Sequence, residues 1–145
     1  MARTWCVLIV AAALAACSQP QTAQHEPTQA DLAARGQYIV TGIGGCNDCH
    51  TPMTPQGPDM AHSLQGAQLA IRLMPQFEGH IPWAEAAPQI AGGPANYTDE
   101  QFAHLLMTGE KPDGTHLRPP MPQFRMNAED ARAVVAYIKT VPRAE

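Results

Sequence analysis

The run Cys46-Asn47-Asp48-Cys49-His50 constrains this chain more than any other segment. Two thiols two residues apart, with an imidazole directly after them, suit three chemistries: covalent haem attachment, a redox dithiol, or half of a zinc site. A zinc site needs a second cluster of ligands, yet His25, His62, His80, His104 and His116 are scattered singly and no second Cys pair exists. A thioredoxin-like dithiol needs a strand before it and a βαβ pattern around it, and neither is present. Haem attachment remains. The spacing lets two thiols add across two vinyl groups while the following imidazole turns under the iron.

The other two cysteines, Cys6 and Cys17, lie within and directly after an N-terminal leader. Met1-Ala2-Arg3 is a short positive start, and Trp5 to Ala16 is an apolar run of twelve residues. A helix spanning a bilayer needs about 20, so the segment reads as an export signal, residues 1–16. It ends Leu14-Ala15-Ala16-Cys17, which resembles the lipobox of bacterial lipoproteins. That resemblance implies acylation at Cys17, with cleavage in front of it and anchoring on the periplasmic side of a bacterial membrane. It also implies a lean toward the outer membrane, because Ser18 rather than Asp follows. Cys6 is discarded with the signal, so no disulfide framework is available to the folded part. Residues 17–30 are polar, hold two Pro and no large apolar side chain, and read as a tether.

The folded part, residues 31–143, is one domain. With fourteen Pro, eleven Gly, three Phe and two Trp in 145 residues, it has much loop and few large core residues, so a cofactor must supplement its core. A helix is predicted from Asp31, with Leu32, Gly36, Ile39, Val40 and Ile43 on one face, failing near Gly42-Ile43-Gly44-Gly45. Thr98 to Gln101 is a capping box ahead of Phe102, Leu105 and Leu106, with Gly109 as a stop. Asn127 caps a last helix whose buried face is Ala131, Val134, Val135, Ile138 and Val141, ended by Pro142. Residues 51–97 show no periodicity, and a loop that long must wrap something. The edge of the haem is the natural object. Trp83, Tyr97 and Arg72 are candidate partners for its propionates. The expected fold is all-α: about three main helices plus a long irregular loop around one covalent haem.

Between the last two helices lies Leu117-Arg118-Pro119-Pro120-Met121-Pro122. Three Pro around one Met make a stiff, extended strap that presents a thioether at little entropic cost. Met121 is thus the candidate distal iron ligand and His50 the proximal one. Met126 is the runner-up, and His80, His104 or His116 would give bis-His ligation.

These segments resemble a small class I monohaem cytochrome c over residues 31–143. The matching pieces are Gly36-Gln37-Tyr38, Cys46 to His50, Met121-Pro122 and the helix from Ala128 to Val141. The resemblance implies that the first and last helices cross with Gly36 against Tyr137. From Asp113-Gly114 through Met121-Pro122 the chain is also similar to cytochrome subunits of bacterial dehydrogenases. The implied function is one-electron transfer through haem c, with a dehydrogenase, an oxidase or another cytochrome as redox partner, and not catalysis. An enzyme or gas sensor with an open sixth iron position is the rival, and a zinc or dithiol lipoprotein a remote one. Nucleic acid is excluded as a partner: the formal net charge is -4, loss of Arg3 with the signal makes it one unit more acidic, and no basic stripe exists.

Overall fold

The computed structural model describes residues 26–144. The expected export signal at 1–16 and lipidation site Cys17 lie outside them. Four α-helices form the frame: α1 Gln29–Tyr38, α2 Cys46–His50, α3 Asp99–Thr108 and α4 Ala128–Ile138. None is long and apolar enough to cross a membrane.

Helix α1 begins earlier than its apolar pattern. Thr28 is the N-cap: its side chain accepts from Asp31 N, and the Asp31 carboxylate accepts from Thr28 N at 2.9 Å. This reciprocal box satisfies two backbone donors that a helix start leaves open. Asp31 is therefore the third helical residue and not the first. At its far end α1 runs into one π-helical turn, Ile39–Ile43, closed by Gly44 N donating to Ile39 O at 2.7 Å. A π-turn admits an extra residue and rotates the side chains beyond it. Ile39 and Val40 stay buried as expected, but Ile43 is swung outward and is 67% exposed.

The core forms where α1 crosses α4. A Cβ on Gly36 would lie 1.9 Å from the Ala133 carbonyl oxygen and 2.8 Å from Tyr137 Cβ. Only glycine allows that approach, and the Gly36–Tyr137 crossing is found as expected. Ala133 is buried beside Ala131, Val134, Val135 and Ile138 because α1 lies on its carbonyl. Arg35 Nε donates to Asp130 at 2.9 Å across the same crossing. Helix α3 adds Phe102, Leu105 and Leu106 to this core. Its capping box and the Asn127 cap of α4 stand where the sequence puts them.

The long loop is more regular than its sequence suggests. It holds two antiparallel pairs, β1 Met53–Thr54 with β2 Gly57–Pro58 and β3 Ala67–Gln68 with β4 Ala86–Ala87. Single 3₁₀ turns form at Met60–His62 and Pro75–Phe77. The strap is also not fully extended. Arg118 O accepts from Met121 N at 3.2 Å, closing a tight turn over Pro119 and Pro120, whose fixed φ suits turns as well as extended chain. The turn is pinned on both sides. Pro119 O accepts from Ala84 N at 2.7 Å, Leu117 N donates to Gly109 O at 3.0 Å, and the Gln123 amide donates to Thr108 O.

Candidate haem site

Gly45 sets up the site. Its φ of 55° is left-handed, a conformation glycine adopts at little cost, and it turns the chain into α2. On that single helical segment Cys46, Cys49 and His50 follow the i, i+3, i+4 spacing that brings side chains to neighbouring positions on one face. Both thiols are free and half-buried, and His50 is buried. Thr51 leaves the helix in extended conformation, and the Pro52 that comes next keeps the segment short.

His50 is held at both ends. Its Nδ1–H donates to the Pro88 carbonyl at 2.7 Å, and its own carbonyl accepts from Gly66 N at 2.7 Å. A proton fixed on Nδ1 leaves Nε2 with a lone pair, the tautomer that a metal ligand requires. Burial lowers the imidazole pKa, which keeps the ring neutral and ready to donate that pair. Burial also pushes the Cys46 thiol up to about 11, so it is protonated at neutral pH. A thiol in that state is a poor metal ligand, because a metal binds the thiolate. Among the described residues no group of three or more His, Cys, Asp or Glu is arranged to hold a metal ion.

Two further side chains have the mark of a missing acceptor. Among the described residues, Trp83 Nε1 and Gln89 Nε2 are the buried side-chain donors without a hydrogen-bond partner. A buried donor left unpaired costs about 1–3 kcal/mol. A cofactor carrying two carboxylates, as haem does, supplies what both lack, so the residues present fit the group. Trp83 and Arg72 line the same surface cavity of about 380 Å³, together with Glu78 and Glu85. Tyr97, the third propionate candidate, instead packs against the hydrophobic core.

The two candidate methionines separate. Met126 packs against the core, and its backbone N donates to Leu106 O. Met121 is half-buried, closes the pinned turn through its backbone N and is not among the core residues. The alternative ligands His80, His104 and His116 are exposed, and His104 faces Glu110 at 3.9 Å.

The model of the family described as Cytochrome c matches residues 33–142. The chain belongs to the cytochrome c family. Members of this family are haem-bearing electron carriers rather than enzymes. A cytochrome c fold also accounts for the helical frame and the loop folded around one side. The chain is 32% identical over 126 residues to a diheme cytochrome c-type protein of Cereibacter sphaeroides, an alignment covering 81% of this chain and 39% of that one. It is 32% identical over 122 residues to the fructose dehydrogenase cytochrome subunit of Gluconobacter japonicus, covering 79% and 23%. It is 29% identical over 134 residues to the cytochrome c subunit of a quinone alcohol dehydrogenase of Gluconacetobacter polyoxogenes, covering 90% and 26%. The chain thus spans well under half the length of these relatives.

Sequence reasoning missed Pro88, Gln89 and the polar side chains behind α2. Pro88 acts through a backbone carbonyl, which leaves no side-chain signal. Asn47 inside the motif and Thr51 directly after it are in plain view, but nothing in their spacing shows that both are buried.

Proposed function

We propose that this chain is a one-electron carrier holding a single covalent haem c. Cys46 and Cys49 are the thioether anchors, His50 the proximal iron ligand and Met121 the distal one. When bound, the haem supplies an Fe(II)/Fe(III) couple. The observation that carries this reading is the His50–Pro88 hydrogen bond on a helical turn that also presents both thiols. Cys46 and Cys49 fix the orientation of α2 to one face of the ring. Pro88 holds the imidazole in its ligating tautomer. The Met121 thioether, soft and neutral, stabilises the reduced state and raises the potential. Met121 is preferred to Met126 because the strap turn is anchored by Ala84 and Gln123 while Met126 is committed to the core. Arg72 would neutralise a propionate and the Trp83 indole N–H would donate a hydrogen bond to it.

Residues 1–16 act as an export signal in this reading. Cys17 carries lipid, and the polar stretch up to Thr28 tethers the domain on the periplasmic side, at the outer membrane. A dehydrogenase is the proposed electron donor, by analogy with the dehydrogenase cytochrome subunits that the chain is similar to. The test is a pyridine haemochrome spectrum of the mature protein. A c-type spectrum is expected, shifted in Cys46→Ala, where one thioether remains, and lost as covalent haem in the double variant Cys46→Ala/Cys49→Ala. Zinc without iron, or covalent haem persisting in the double variant Cys46→Ala/Cys49→Ala, would refute the assignment. Rapid stoichiometric carbon monoxide binding to the reduced protein at neutral pH would favour an open sixth position instead.

A further inference from the structure

Behind the haem-attachment turn lies a closed set of hydrogen bonds that the proposed function does not use. Asn47, between the two cysteines, is 6% exposed, and its Oδ1 accepts from Thr51 Oγ1 and from Ser63 Oγ, each at 2.8 Å. Thr51 is 1% exposed, and its Oγ1 accepts in turn from Leu64 N at 2.9 Å. Leu64 is fully buried with φ of 60°, a left-handed conformation that a bulky residue keeps only when its surroundings dictate it. Here they do. Leu64 O accepts from both Ile90 N and Ala91 N, at 2.9 and 3.0 Å. Gly66 closes the circuit. Its N donates to His50 O, and a Cβ on it would lie 2.8 Å from Gln89 N and 3.0 Å from Ala87 O. The path runs from His50 through Thr51 to Leu64, from Leu64 to the 90–91 backbone, and from Pro88 back to the His50 imidazole.

We propose that Asn47, Thr51 and Ser63 are positioning residues for the axial histidine. They lock the segment from 63 to 66 against α2, and that segment holds the strand of chain carrying the Pro88 carbonyl. In a largely buried network the Thr51 and Ser63 hydroxyls, the Asn47 carbonyl and Leu64 N pair in one arrangement, and loss of a member leaves the others unpaired at a cost that favours rearrangement. The imidazole plane of His50 is therefore set by residues outside the proposed ligand set. This inference rests on His50 being an axial ligand.

The test compares Thr51→Val, which keeps shape and deletes the hydroxyl, with Thr51→Ser, which restores it, and with the milder Ser63→Ala. Each mature protein is first assayed for covalent haem by pyridine haemochrome, then by ferric EPR, redox titration and thermal melting. The expected result is unchanged haem content in Thr51→Val and Ser63→Ala. Their low-spin EPR signal is broadened or split and their midpoint potential shifted, with both restored in Thr51→Ser. Parental EPR and potential in Thr51→Val and Ser63→Ala, with only the melting temperature lowered, would overturn the proposal and leave the network merely structural. Absence of a c-type haemochrome in the parent would instead refute the haem reading on which it rests, so the two failures are distinguishable. If Thr51→Val does not fold, Ser63→Ala decides alone.

Discussion

Gly36→Ala separates what local propensity predicts from what the fold predicts. In an exposed helix interior, Ala in place of Gly stabilises by about 1 kcal/mol. At this position the added Cβ would stand 1.9 Å from the Ala133 carbonyl oxygen. An uncrowded contact needs at least about 3.2 Å, so α1 and α4 must part by more than an ångström. The obstacle is backbone, which no rotamer change can move aside. Ile39, Val40, Val134 and Ile138 all pack at this crossing and would lose contacts together. Overpacking of this kind costs about 1–3 kcal/mol, occasionally more, and it outweighs the propensity gain. The expected outcome is a net loss of about 2 kcal/mol in guanidinium unfolding of the ferric protein, read as a lower midpoint at unchanged m-value. Gly36→Val should lose more. An alanine variant as stable as the parent, or more stable, would refute the close crossing.

Two further perturbations probe the loop. Trp83→Phe removes the unpartnered indole N–H while keeping an aromatic ring. We expect unchanged covalent haem but a lowered midpoint potential, because a propionate then keeps more of its negative charge near the iron; a parental potential would remove Trp83 from that role. The Asp59 carboxyl is held below its ordinary value of 3.8, first by its hydrogen bond from His62 at 2.7 Å. A depressed acid stabilises the fold above the ordinary pKa, and that contribution is lost as pH falls through the depressed value. Side-chain NMR titration should show Asp59 below 3.8 in the parent and higher in His62→Ala than in the parent, whereas an identical curve in both would discount the pair.

Much of the frame was legible because the features that build it are local. Thr98 and Gln101, or Asn127 before an apolar stripe, specify helix starts within a few residues of chain, and both stand as read. Gly36 was legible as a crossing because a glycine inside an apolar helical face has few other uses. The start of α1 was not read, because Leu32 opens the apolar pattern and the Thr28–Asp31 box precedes it with no apolar residue to mark the turn. The π-turn escaped for a related reason: Ile43 fits the helical period until one inserted residue rotates it into solvent. Strands two residues long carry no periodicity, so β1 to β4 were invisible. The run from Cys46 to His50 stood out in the sequence, but what aims His50 did not. Pro88 reaches it through a carbonyl 38 residues away, and Leu64 supports it through backbone groups.

Electron transfer by this chain depends above all on which atoms hold the iron. The most direct measurement is a redox titration of Met121→Ala beside the parent, with the near-infrared sulfur-to-iron band recorded in both. Loss of that band and a fall in midpoint potential are predicted, since a soft neutral ligand that favours the reduced state is gone. A variant that keeps both the band and the parental potential would show that another residue, Met126 foremost, occupies the distal position.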